Sequence, residues 1–279
     1  SKFSIFCLKI FSLINILLSF YFIQRPDLQI NFYTWNEGQV EFFSSVGIPV
    51  SIYGLYVISS SLFLFLCLFW IHIFFETKKI TSLIYISIFI YLIAQPLIIF
   101  SSLQALLSLT IILFFIIIYT NKYLFNNHVA IRSIVYIIST IIFVYIAINN
   151  YEWLLNNDGL QDRFFNEYLA NSLNFIFMGI GFNSSYQTIF GMNLSFGDFN
   201  YGDIMIRFSL LGLFIYYILL FNFIRLNVGS NKFLIFPIFI SLFLLDAGHS
   251  LSRSIYFLPI LILYLLSIKH DLNFKSNKK

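Results

Sequence analysis

The chain has 279 residues, 59% hydrophobic and 10% charged, with sixteen Lys or Arg, twelve Asp or Glu and a mean hydropathy of +0.87. An ordinary soluble domain carries about 25% charged residues, and no soluble core of this length buries so much apolar surface. A soluble globular class is therefore excluded, and the formal charge of +4 gives no reason to expect nucleic acid, because the lysines sit in short clusters beside apolar runs.

The expected fold is all-α: one integral membrane domain over residues 1–279, a polytopic helical bundle. A transmembrane barrel would alternate apolar and polar residues, and the unbroken run Ile111 to Tyr119 does not. Cys7 and Cys67 both lie in apolar runs and imply no disulfide framework. Phe (37) and Tyr (18) are so frequent that aromatic stripes carry little functional information.

A span needs about 20 apolar residues, somewhat fewer where flanking side chains snorkel. Eight segments qualify: 3–23, 50–75, 80–100, 103–120, 133–148, 204–224, 233–247 and 254–268. The first is too long for a signal-peptide core and has no small-residue cleavage site. Because the chain begins at Ser1, either an initiator was removed or the sequence is a piece of a longer protein. Between the third and fourth segments, Gln95-Pro96 and Ser101-Ser102 mark either a turn or a kink. The segments 133–148 and 233–247 are short, so one is expected to be tilted or partly re-entrant.

Orientation follows from the basic residues of short loops. Lys2, Lys9, Lys78, Lys79, Lys122, Arg132, Arg225, Lys232 and the tail from Lys269 to Lys279 share one side, expected to be cytoplasmic with both termini. Ten of the twelve acidic residues then fall outside, Glu76 and Asp271 excepted. The four basic residues left outside are all arginines: Arg25, Arg163, Arg207 and Arg253. Lysine would keep that surface soluble equally well, whereas a planar fork of donors suits carboxylate or phosphate. Arg25, just after a span and before Pro26, is explained by anchoring alone.

Two outer loops are long. Residues 24–49 carry Arg25, Asp27, Trp35, Glu37 and Glu41, and residues 149–203 form a 55-residue loop holding six of the twelve glycines. Loops of that length are usually functional. Within the second, apolar positions 164, 165, 168, 169, 173, 176 and 177 predict an amphipathic helix on the membrane surface or over a cavity. Gly179-Ile180-Gly181 ends it, and Asn200-Tyr201-Gly202-Asp203 opens the sixth span.

Two clusters carry candidate chemistry. Asp203 and Arg207 share a helical face at four-residue spacing, which a self-satisfied ion pair explains as readily as a site. Asp246, His249 and Arg253, at spacings of three and four, would stack on one face of a helical turn, giving a carboxylate-oriented imidazole beside a guanidinium. A plain polar hairpin between spans accounts for the same residues. No Asp-x-Asp, paired histidines or cysteine cluster suggests a metal, and no phosphate-cradling Gly-Lys loop suggests ATP.

Arg163, the Gly179-Ile180-Gly181 turn, Asn200 entering a span, Gly212 within it and the closing His249/Arg253 hairpin resemble the O-antigen polymerase and ligase superfamily. The resemblance covers roughly residues 77–268 and is nearer to the polymerases. It departs at Phe199, where members often carry histidine, and at Asn174, where an Arg-x₁₀-Gly spacing from Arg163 would need glycine. Members usually have more spans, which implies that N-terminal helices are missing from this chain.

The resemblance implies a metal- and cofactor-independent glycosyltransferase of the bacterial inner membrane, acting in lipopolysaccharide or surface-polysaccharide biosynthesis. Its substrate would be an oligosaccharide on undecaprenyl pyrophosphate, with a chain-length regulator as a possible partner. Arg163, Arg207 and Arg253 would bind the departing pyrophosphate, with Asn200, Gly179 and Gly181 completing the substrate site. His249, or failing it Asp203, would be catalytic. Two readings stay open: the ligase of the same superfamily, and a flippase or transporter of the same lipid-linked saccharide. A flippase would carry charges along its spans, whereas spans two to five hold almost none apart from His72.

Overall fold

The computed structural model describes residues 2–25, 56–100, 103–124, 133–143, 200–229, 231–246 and 257–269, with single residues at 131, 145 and 177. Among the described residues every regular element is helical. In chain order these are α1 (Lys2–Gln24), α2 (Tyr56–Thr77), α3 (Ile80–Phe100), α4 (Leu103–Leu124), α5 (Ser133–Phe143), α6 (Asn200–Asn227), a 3₁₀ turn (Lys232–Leu234), α7 (Ile235–Leu245) and α8 (Leu258–Lys269).

Five helices are long and apolar enough to cross a membrane: α1, α2, α3, α4 and the Arg207–Asn227 part of α6. The protein is a membrane-embedded, multi-pass helical bundle; α5, α7 and α8 are shorter apolar helices. Helix α3 runs through Pro96 to Phe100, and α4 starts at Leu103, so the proline does not end its helix. The loop 24–49 beyond Arg25, the loop 149–199 with its amphipathic segment, and the turn holding His249 and Arg253 lie outside the described residues, save Phe177.

Helix α2 is the axis of the bundle, packing on α1, α3, α4 and α8. It is apolar all round, as a helix buried on every side must be; Leu64, Leu66, Cys67, Leu68 and Phe69 are fully buried. Its polar atoms are used between helices, where hydrocarbon offers no alternative partner. Gln104 of α4 donates to Ser61 Oγ at 2.8 Å, Trp70 Nε1 donates to Ser12 Oγ of α1 at 3.0 Å, and His72 Nδ1 is 2.9 Å from Tyr119 Oη of α4. Phe65 fixes α8, edge-on to Phe257 at 4.7 Å and Tyr264 at 5.7 Å.

One end of the bundle collects the basic helix ends. Glu76, closing α2, accepts a bond from Tyr123 Oη of α4 at 2.8 Å and lies 4.0 Å from Lys122 Nζ. Asn231, before α7, donates to the Ile268 carbonyl of α8 at 2.9 Å and accepts from Lys122 at 3.4 Å. Gly229 turns α6 toward α7 with φ +65°, and a Cβ there would meet the Lys269 carbonyl oxygen at 2.8 Å. Lys78, Lys79, Lys122, Arg225, Lys232 and Lys269 therefore share one end, as their short-loop positions predict. Helix α1 rises from the same end: Ser12 meets Trp70, which stacks on Tyr85, while Phe20 stacks farther along α3 on Tyr91.

Candidate functional site

The opposite half of the bundle is built differently. Helix α6 begins at Asn200, and its backbone sets positions 203 and 207 one turn apart, as the spacing predicts. Arg207 is half-buried, two residues before a break at Ser209, whose φ of 67° and ψ of 178° lie outside the helical region. That conformation is essentially reserved for glycine and costs a residue with a Cβ on the order of 1–3 kcal/mol. Phe208 folds over Gly212, where any side chain would run into the Phe208 Cβ. The break re-aims the first turns of α6, the part that carries Asn200, Asp203 and Arg207, relative to the span that follows.

Asp246, at the end of α7, is fully buried. Its amide donates to the Leu242 carbonyl at 2.9 Å, and Tyr217 Oη of α6 donates to its Oδ2 at 3.1 Å. The surroundings are aromatic: Tyr217 sits edge-on to Phe243 at 5.1 Å and to Phe239 at 6.2 Å. From Lys232 to Leu245 the 3₁₀ turn and α7 rise roughly 22 Å, less than the apolar thickness of about 30 Å. Asp246 stands at the far end of that rise, away from Lys232. Burying a carboxylate in an apolar bundle is costly unless it is hydrogen-bonded, and such groups are by default candidate functional residues.

Of the candidate site residues singled out from the sequence, the structure describes Arg207 and Asp246 with their side chains, Gly212, and the backbone of Asn200 and Asp203. Arg163, Gly179, Gly181, His249 and Arg253 lie outside the described residues. Tyr217 went unrecognised in the sequence because it is one of 18 tyrosines. Its meeting with Asp246 is set by how α6 packs on α7, which no sequence spacing displays. No family model matches this chain, and neither a curated protein nor a solved structure does.

Proposed function

We propose that the protein is an oligosaccharide repeat-unit polymerase of the O-antigen type, a metal-independent glycosyltransferase of the bacterial inner membrane. In this reading the chain crosses eight times, with α5, α7 and α8 completed by neighbouring residues and the basic end in the cytoplasm. The 149–203 loop then covers a periplasmic site. An acceptor sugar hydroxyl attacks the anomeric carbon of a donor glycan, the bond to undecaprenyl pyrophosphate breaks, and that pyrophosphate leaves. His249 takes the hydroxyl proton, with Asp203 as the alternative base, and Arg163, Arg207 and Arg253 neutralise the departing charge. Asn200, Gly179 and Gly181 line the glycan path.

The observation that carries this reading is the buried Asp246, held by Tyr217 on the half of the bundle away from the lysines and three residues before His249. A carboxylate so held is suited to orient an imidazole and keep its tautomer. The test is complementation of a deletion strain, resolving surface lipopolysaccharide by size. Deletion should leave a single repeat unit on lipid A-core, the gene should restore a ladder, and Arg163→Ala, Arg253→Ala or Asp246→Asn should abolish it while the protein still inserts. Wild-type chain lengths in all three variants would overturn the reading. Loss of every repeat unit from lipid A-core, with polymer accumulating on the carrier, would make the protein the ligase.

A further inference from the structure

At the basic end, α4, α5 and the 3₁₀ turn enclose an open cleft of about 530 Å³, within the 300–1,000 Å³ typical of ligand sites. Its polar lining is Asn121, Lys122, Ser133, Tyr136 and Lys232, and its apolar wall is Ile118, Ile137 and Phe233. Lys122 is held on three sides: 3.4 Å from Asn231 Oδ1, 4.0 Å from Glu76 Oε1, and 4.4 Å above the Phe233 ring. Lys232 is exposed at the rim. Lys78 completes the cluster, its ammonium 4.6 Å from the Tyr123 ring. Among the described residues of this cluster, three ammonium groups against the carboxylate of Glu76 leave a surplus of two positive charges.

The cleft has polarity in a second sense. Its floor belongs to the bundle, but its open flank continues along α5, where Ile134, Ile137, Ile138, Ile141 and Ile142 are all exposed. A soluble anion has no use for an isoleucine ridge beside its binding lysines, whereas a lipid has an acyl chain to lay there. We propose that this cleft seats the phosphate of an anionic phospholipid, with one acyl chain along the isoleucine face of α5. Lys122 and Lys232 meet the phosphate as point charges, and Asn121, Ser133 and Tyr136 supply polar contacts. The bound lipid clamps α5, which meets α4 through the Phe114–Phe143 stack at 4.5 Å, against the lysine end. This site is independent of glycosyl transfer and stands or falls separately from it.

The test is native mass spectrometry of the purified full chain, titrated with phosphatidylglycerol or phosphatidylcholine. Wild type should retain phosphatidylglycerol preferentially. Lys232→Ala should weaken that retention about fivefold, from the loss of one near-surface charge, with phosphatidylcholine retention and thermal unfolding unchanged. Lys9→Ala, on α1 and outside the cleft, should leave retention intact. Equal retention of the two lipids, or a Lys232→Ala protein identical to wild type, would overturn the proposal. Stabilisation by glycerol 3-phosphate as strong as by phosphatidylglycerol would mean that the cleft takes a soluble phosphate ester, and the lipid assignment would be wrong.

Discussion

Helix α2 and helix α6 are both long enough to span a membrane, yet 78% of the membrane-length window of α2 is buried against 17% for α6. The first is a regular helix whose polar groups join it to its neighbours: Ser61 to Gln104, Trp70 to Ser12, His72 to Tyr119. Among the described residues, the second packs mainly on α7 and α8, breaks at Ser209 and carries Arg207 and the Tyr217 partner of Asp246. Strain and buried charge persist only where surrounding structure holds them, and sites are most precise when set on rigid elements. The contrast teaches a division of labour, with α2 as the frame and the α6–α7 hairpin as the part free to be specialised.

The largest expected effect tests the frame. Phe65→Ala removes a ring wedged between Phe257 and Tyr264 and should cost about 3–5 kcal/mol, as buried aromatic truncations do. Leu219→Ala, on the exposed face of α6, should cost no more than about 0.5 kcal/mol. Reversible unfolding in detergent measures both. Equal losses would mean that α6 is as structural as α2, and the contrast would collapse.

A smaller effect is expected where the two regions join. Gly229 has φ +65°, and a Cβ would press on the Lys269 carbonyl, so left-handed strain and contact act together. Gly229→Ala should lower stability by about 2 kcal/mol and separate the α6 terminus from α8. An unchanged midpoint would show that the turn can shift freely and that the basic end is not a fixed hub.

How much of this was legible beforehand differs between the regions for physical reasons. The helical class and the shared basic end were readable, because hydrocarbon demands long apolar helices and the short loops concentrate lysine. That α2 is the central helix was not readable: all the spans are so apolar that none shows a buried stripe, and centrality depends on which neighbours arrive. Asp203 and Arg207 were visible as a spacing, but the break at Ser209 was not, since serine carries no signal for positive φ. The Tyr217–Asp246 bond depends on how α6 packs on α7, and the cleft at Lys122 and Lys232 on pairing segments more than 100 residues apart.

The smallest expected effect has the opposite sign and separates strain from accident. Glycine reaches φ 67°, ψ 178° without penalty, so Ser209→Gly should raise unfolding stability by about 1 kcal/mol. Serine offers little in return at this position, buried in an apolar helix, and the loss of its side chain should not offset the gain. If the break serves to aim Arg207, the stabilised variant keeps the geometry and should keep its polysaccharide ladder. Ser209→Ala retains the strain and should match wild type in stability within about 0.5 kcal/mol. A glycine variant less stable than wild type would mean that the break is not strained, and that α6 differs from α2 in burial alone.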